Sequence, residues 1–396
     1  MIKRFFILFL LCFMLTGCWD RHEINDVAFV IATGIDKVKN QYQVSFQIPL
    51  PSQLGGAGSK GGGGGTAGGN KNYYLDAARD TTVSGAIRKQ QESLSRLLNF
   101  SHRRVLLIGE ALAKSGVQES LDVVARNSIN RLNAFLVVTK GQARDLLNAD
   151  APIEQFPAEM VRELAQGATK RPYTTKDFIE AQLSPGNDSI APYFSVVKSN
   201  PGPKGKPQTM IKLDGFAVFN GDRETGVLKE EQATALLIAM NQARSPFSVK
   251  ISPPSGKGSL DVLVTENNTQ ITPVMEQNQM KIRILFRGKG AIVENQSLFD
   301  IDTSGEQLDK LQQMTNRKFK SIMQQTINDL QNKYQSDPAG FGEAIYRKYP
   351  HVWHESLEKD WKTHYRNLQI SVESLVRLEN MGTINSSTKR KEGDAQ

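Results

Sequence analysis

Cys18 is the first residue of this 396-residue chain whose type and setting could support chemistry. It closes Leu15-Thr16-Gly17-Cys18, behind the positive pair Lys3-Arg4 and an apolar run from Phe5 to Met14. Those ten residues are too few to span a bilayer, which takes about 20 in a helix, but they match the apolar core of a secretory leader. At the end of such a leader, a thiol preceded by a leucine and two small residues can take a diacylglycerol. Cleavage between Gly17 and Cys18 would then leave an N-acylated, S-diacylglycerol cysteine as the first residue. Five histidines supply the other candidate groups: His22, His102, His351, His354 and His364. His351 and His354, followed by Glu355, would face one metal if they lay on a helix. No HExxH pattern accompanies them, and Pro350 and Trp353 suit a packed turn better. His102 would serve as a base, but neither a nucleophile nor an orienting acid is identifiable, so a structural or interface histidine is the reading. The glycine-rich stretch 55–69 lacks the Lys-Ser/Thr pair of a phosphate-binding loop and reads as a mobile surface loop. No catalytic residue, metal site or cofactor is expected.

Leu15–Cys18 looks like the lipobox of bacterial lipoproteins. One acyl chain holds a protein to a membrane only marginally, whereas two or more anchor it stably. The mature body is thus expected to be tethered by its first residue on the outer face of the cell membrane, with no later span. The charged residues Asp20, Arg21, Glu23 and Asp26, together with Trp19, lie just beyond the anchor and form a candidate partner interface. A solvated spacer is the alternative reading. The net charge of +8 loses two with Lys3 and Arg4, a modest excess that suits anionic headgroups. Basic residues are scattered without interleaved aromatics, so no nucleic acid partner is expected. Of the two cysteines, Cys12 leaves with the leader and Cys18 becomes the anchor, so the body has no disulfide.

Hydrophobic periodicity predicts the elements that follow. Val27–Ile35 reads as a buried strand, and Tyr42, Val44, Phe46 and Ile48 alternate as a half-exposed one, with a hairpin between. Val83, Ile87, Leu94, Leu97 and Leu98 predict a helix capped by Thr81 or Thr82. Strands at 105–108 and 135–138 alternate with helices near 117–125, 143–147, 158–165 and 175–183, and a strand at 193–197 closes this half. Three prolines and two glycines in 200–207 predict a break. The organisation is therefore a leader at 1–17, an N-terminal domain at 18–199, a linker at 200–209, a C-terminal domain at 210–384 and a disordered tail at 385–396. The N-terminal domain includes the loop 55–69, and both one domain and two subdomains fit its pattern. In the second half, a turn at Asn220-Gly221-Asp222, a helix at 230–242, alternating strands, and a long helix at 306–334 precede a last strand near 370–378. The fold class is α+β, mixed α/β: an α/β first half, then a largely antiparallel sheet with a long helix.

Several segments together resemble the C-subunit lipoproteins of bacterial spore germinant receptors, the Ger(x)C family. They are Gly17-Cys18-Trp19-Asp20-Arg21-His22-Glu23-Ile24-Asn25-Asp26, Gly34-Ile35-Asp36, Ser101-His102-Arg103-Arg104 through Gly109-Glu110, and Arg131-Leu132-Asn133. Leu213-Asp214-Gly215-Phe216, Gly226-Val227-Leu228, Tyr346-Arg347-Lys348-Tyr349-Pro350, Trp353 and Trp361 continue the likeness. The resemblance implies a non-catalytic, lipid-anchored subunit of a nutrient receptor in the spore inner membrane. Its partners would be two integral membrane subunits, and its fold several compact mixed α/β domains. Two other functions stay open: a solute-binding lipoprotein delivering a nutrient to a transporter, which predicts two similar hinged lobes, and an exported hydrolase, which predicts paired carboxylates or a metal triad.

Overall fold

A computed structural model describes residues 24–50, 71–126, 130–200, 205, 207–253, 258–297 and 305–379. The leader, Cys18, the charged residues through Glu23, the glycine-rich 55–69 and the tail from 385 lie outside the described residues. In chain order the first elements are β1 (Val27–Phe29), β2 (Ala32–Val38), β3 (Gln41–Pro49), β4 (Tyr73–Asp80), α1 (Val83–Glu92), β5 (Leu97–Asn99) and β6 (Val105–Gly109). Then come α2 (Glu110–Ser115), α3 (Gln118–Arg126), β7 (Phe135–Thr139), α4 (Ala143–Leu147), α5 (Pro157–Ala168), α6 (Thr175–Leu183), β8 (Ile190–Lys198), β9 (Thr209–Asn220) and β10 (Arg223–Lys229). The remainder is α7 (Glu230–Ala239), β11 (Phe247–Ile251), β12 (Leu260–Glu276), β13 (Gln279–Asn295), α8 (Glu306–Asp329), α9 (Phe341–Lys348), α10 (Trp361–Asn367) and β14 (Gln369–Leu378). The helical turns Pro350–Val352 and Trp353–Leu357 lie between α9 and α10.

Eight strands form one mixed sheet in the order β10-β9-β8-β7-β6-β2-β3-β4. Its centre is parallel, β2 with β6, β6 with β7 and β7 with β8, and the flanks are antiparallel. Both faces are covered, which is why β6 and β7 are apolar at consecutive positions. Leu106 and Ile108 pack with Leu112, Leu121 and Phe178 on one side; Val105 and Leu107 pack with Leu146, Leu147 and Val161 on the other. The β2–β3 hairpin turns through Lys39 and Asn40, both at positive φ, as two-residue hairpin loops of the primed type require.

Three expectations change here. β3 is not half-exposed: Gln43, Ser45 and Gln47 are buried along with its apolar residues, because α4 and α5 cover that face. The run from Val27 divides into β1, which pairs in parallel with β5, and β2. The helix after Thr82 ends at Glu92, so Leu97 and Leu98 belong to β5, not to the helical stripe. The strands on either side of 200–209, β8 and β9, pair in one sheet. Ser199 N donates to Gln208 O, β9 extends the first sheet antiparallel to β8, and β10 pairs antiparallel to β9 at its edge.

The second sheet has the order β11-β12-β13-β14 and is antiparallel except for β14, which runs parallel to β13. The long helix α8 lays Leu311, Phe319, Ile322, Met323 and Ile327 on one face of it. The core beneath also takes in Phe216, Val218 and Leu228, whereas Ala217 and Phe219 point into the first core. By alternation, β9 serves both cores at once. No described helix is long and apolar enough to cross a membrane.

Candidate functional site

The segment from Phe100 to Arg104 and the segment 131–133 meet at the N-terminal ends of the parallel strands β6 and β7. Asn99 begins the turn by accepting from Ser101 N at 2.8 Å, and Arg103 N closes it on Phe100 O. Arg104 N then bonds to Ile31 O, and Phe135 N to Arg104 O, which locks the turn to the sheet. His102 stacks edge-on against Phe29, with ring centroids 5.0 Å apart. The Ser101 hydroxyl donates to Asn99 Oδ1, so it is held by its own turn and not by an imidazole. That geometry gives no activated nucleophile beside His102.

What gathers here is positive charge. A cleft of about 440 Å³ is lined by His102, Arg103, Arg104, Arg131, Asn133 and Arg162. Glu159 on α5 answers part of it, pairing with Arg104 and, at 2.9 Å, with Arg162, which also pairs with Glu163. Arg103 is only 4% exposed, and its Nε and Nη2 have no partner. Burial pushes its guanidinium down to about 10, so it stays charged at neutral pH. Arg131, also in the lining, is exposed, and no described carboxylate pairs with it or with Arg103.

The other sequence candidates are dispersed. His354 Nδ1 lies 2.9 Å from Glu358 on the surface and its ring meets Tyr346, while His351 is exposed on its own short turn. Among the described residues no three His, Cys, Asp or Glu side chains gather as metal ligands. Asp26 is exposed at the end of the turn Ile24–Asp26. Gly17, Cys18, Trp19, Asp20, Arg21 and Glu23 lie outside the described residues.

Two buried carboxylate sites were not anticipated. Asp36, 2% exposed, accepts from Ala143 N at 2.7 Å and Arg144 N at 3.3 Å at the start of α4. Burial pushes its carboxyl up to about 6. A charged residue ending an apolar strand was the only sequence signal. Asp337 accepts from Phe341 N and Gly342 N at the start of α9, and Asp188 accepts from Asp337 N at 2.8 Å and Gly221 N at 2.9 Å. Desolvation pushes Asp337 up to about 8, with the neighbouring Asp188 charge adding to it. Around this joint, Trp353, Trp361 and Tyr365 stack in series, and Gly186 lies directly against Trp353 and Gly342. The motif residues Trp353 and Trp361 thus tie α9 and α10 to the first sheet.

Two family models match the chain: a spore germination protein N-terminal domain over residues 20–196, and a spore germination B3/GerAC-like C-terminal domain over residues 214–382. Among Bacillus subtilis (strain 168) proteins, the spore germination protein YfkR is 42% identical, with 95% of each chain covered. Spore germination protein KC is 26% identical, again with 95% of each covered. Spore germination protein B3 is 22% identical over 96% of this chain and 98% of its own. A crystal structure of the GerBC protein shares the fold with a TM-score of 0.52 at 17% identity, covering 88% of this chain and 97% of that one. With both family models matched and a relative 42% identical over 95% of its length, the chain belongs to the GerAC-like family of spore germination proteins.

Proposed function

We propose that this chain is a lipid-anchored, non-catalytic subunit of a nutrient germinant receptor, acting in the spore inner membrane beside two integral membrane subunits. One observation carries the reading: the likeness to spore germination proteins covers 95% of the chain, and the N-terminal family match begins at residue 20, two residues after Cys18. A leader ending in Leu15-Thr16-Gly17-Cys18 supplies the attachment, and the described helices offer no alternative span. The body contributes folded surfaces to the complex. Trp19, Asp20, Arg21, Glu23 and Asp26, kept at the level of the membrane by the anchor, are the proposed partner contact. Among the described residues the first sheet has eight strands and the second four, which favours this reading over a solute-binding protein with two similar lobes.

The test is acylation and partner capture. Cys18→Ala is expected to abolish lipid attachment, seen as loss of acyl mass on the N-terminal peptide, and to move the protein from spore membranes into the soluble fraction. Purification of the detergent-solubilised wild type is expected to bring down two integral membrane proteins. An unmodified Cys18 thiol in native membranes would overturn the anchor, and turnover of a substrate by the isolated body would overturn the non-catalytic role.

A further inference from the structure

We infer that the arginine cleft at the start of β6 and β7 is a binding site for the phosphate group of an anionic phospholipid headgroup. This rests on the proposed membrane attachment for its choice of a lipid as the phosphate source. The argument begins with an imbalance. Four guanidinium groups border the cleft, and only Arg104 and Arg162 are answered by described carboxylates, Glu159 and Glu163. Arg103 forms part of the lining at 4% exposure with Nε and Nη2 unpartnered. A buried charge without a partner costs several kcal/mol, so a fold that retains one gains from an anion close by.

Arginine is the side chain suited to this task, because its planar fork presents parallel N–H donors to two oxygens at once. Arg131 is exposed and lines the same cleft as Arg103, and Asn133 adds a neutral polar group to the lining. A phosphodiester, with its negative charge spread over two unesterified oxygens, can be met from both sides of such a cleft. The position favours the lipid. Phe29 packs on His102 at the rim, and it stands eleven residues after Cys18. A fully extended tether of that length spans at most about 40 Å, so the anchor keeps the cleft within reach of the headgroups. Basic groups near an anionic leaflet are attracted to it. A headgroup seated in the cleft would turn that diffuse attraction into a fixed orientation of the body against the membrane.

The experiment titrates the detergent-solubilised full chain, by calorimetry at pH 7, with three water-soluble probes. These are glycerophosphoglycerol (the deacylated phosphatidylglycerol headgroup), glycerophosphocholine and inorganic phosphate. Glycerophosphoglycerol is expected to bind saturably and at least tenfold more tightly than glycerophosphocholine. Arg131→Gln, at an exposed position that leaves the core intact, is expected to weaken it at least tenfold, while Arg366→Gln on the exposed face of α10 leaves it unchanged. Inorganic phosphate binding more tightly than glycerophosphoglycerol would overturn the lipid source in favour of free phosphate. Equal affinity of the Arg131→Gln chain, or no binding of any probe, would overturn the site. Binding of a glutamate-rich peptide in place of all three would assign the cleft to a protein partner and overturn the proposal. None of these titrations depends on Cys18, so their failure is separate from a failure of the lipid anchor.

Discussion

Asp36 is a polar residue at the centre of an apolar sheet, and its surroundings explain why it is tolerated there. Its two oxygens take the first free N–H groups of α4, which a buried helix end must satisfy somehow. A Cβ on Gly109 would come within 2.0 Å of Asp36 Oδ1, so glycine at that position is a condition of the contact. Gln47 plays a similar part nearby, donating to Leu147 O at the end of α4 and accepting from Ala158 N at the start of α5. Asp36→Ala would strand two buried donors, and a loss of about 1–3 kcal/mol is expected in urea unfolding. Asp36→Asn, which keeps one acceptor, should lose less. If the alanine variant were as stable as wild type, the capping role would be wrong. The sequence displayed Gly34-Ile35-Asp36 and Gly109 as motif residues; that they touch each other emerged only from the parallel pairing of β2 with β6.

At the scale of elements, the junction between the two sheets is the informative place. β9 sends Ala217 and Phe219 into one core and Phe216 and Val218 into the other, so the two sheets share a strand's packing and no free hinge separates them. Ser336 Oγ donates to Phe219 O, and the Asp188–Asp337 contact and the Trp353–Trp361 stack complete the joint. Gly186 adopts φ +61, and a Cβ there would lie 2.4 Å from Trp353 and 2.7 Å from Gly342 Cα. Gly186→Ala therefore has both backbone strain and a steric clash to absorb. It is expected to destabilise the body by about 1–3 kcal/mol, the range for overpacking, with a change in tryptophan fluorescence as the stack shifts. An unchanged unfolding midpoint and emission spectrum would contradict the close packing of this joint. The Pro- and Gly-rich stretch at 200–209 suggested a boundary because it cannot lie inside a helix or central strand. The strands that flank it, β8 and β9, are neighbours in one sheet, a pairing that no local pattern displays.

For the whole molecule, the buried carboxyls set an unusual response to pH. Asp36, Glu224 and Asp337 are raised by desolvation to about 6, 7 and 8. A carboxyl raised in the fold keeps its proton where the unfolded chain, with a pKa of about 4, has released it. The folded state therefore binds more protons through the window from about pH 4 to 8, and stability falls as pH rises through it. In the other direction, Asp80, Glu110 and Glu276 are held low by hydrogen bonds from Lys89, Lys114 and Lys281, a contribution lost in acid below about pH 4. Thermal unfolding is thus expected to have its highest midpoint near pH 5 and a lower one at pH 8. Asp337→Asn should flatten the upper part of that fall. A wild-type midpoint that climbed steadily from pH 5 to pH 8 would refute the carboxyl assignment.

Local pattern carried most of the element list, because a cap such as Thr82, a hairpin turn such as Lys39-Asn40, or an apolar run such as Val105–Ile108 depends on residues adjacent in the chain. The proposal that Leu15–Cys18 is a leader end and acylation signal likewise rests on chain-local chemistry. Only the tertiary structure decided that β3 is covered on its polar face, that β9 and β10 join the first sheet, and that the arginines at 103, 104, 131 and 162 border one cleft. Each of those outcomes depends on groups far apart in sequence brought together by packing. Burial is a property of the neighbours a residue acquires, and no window of the chain contains them.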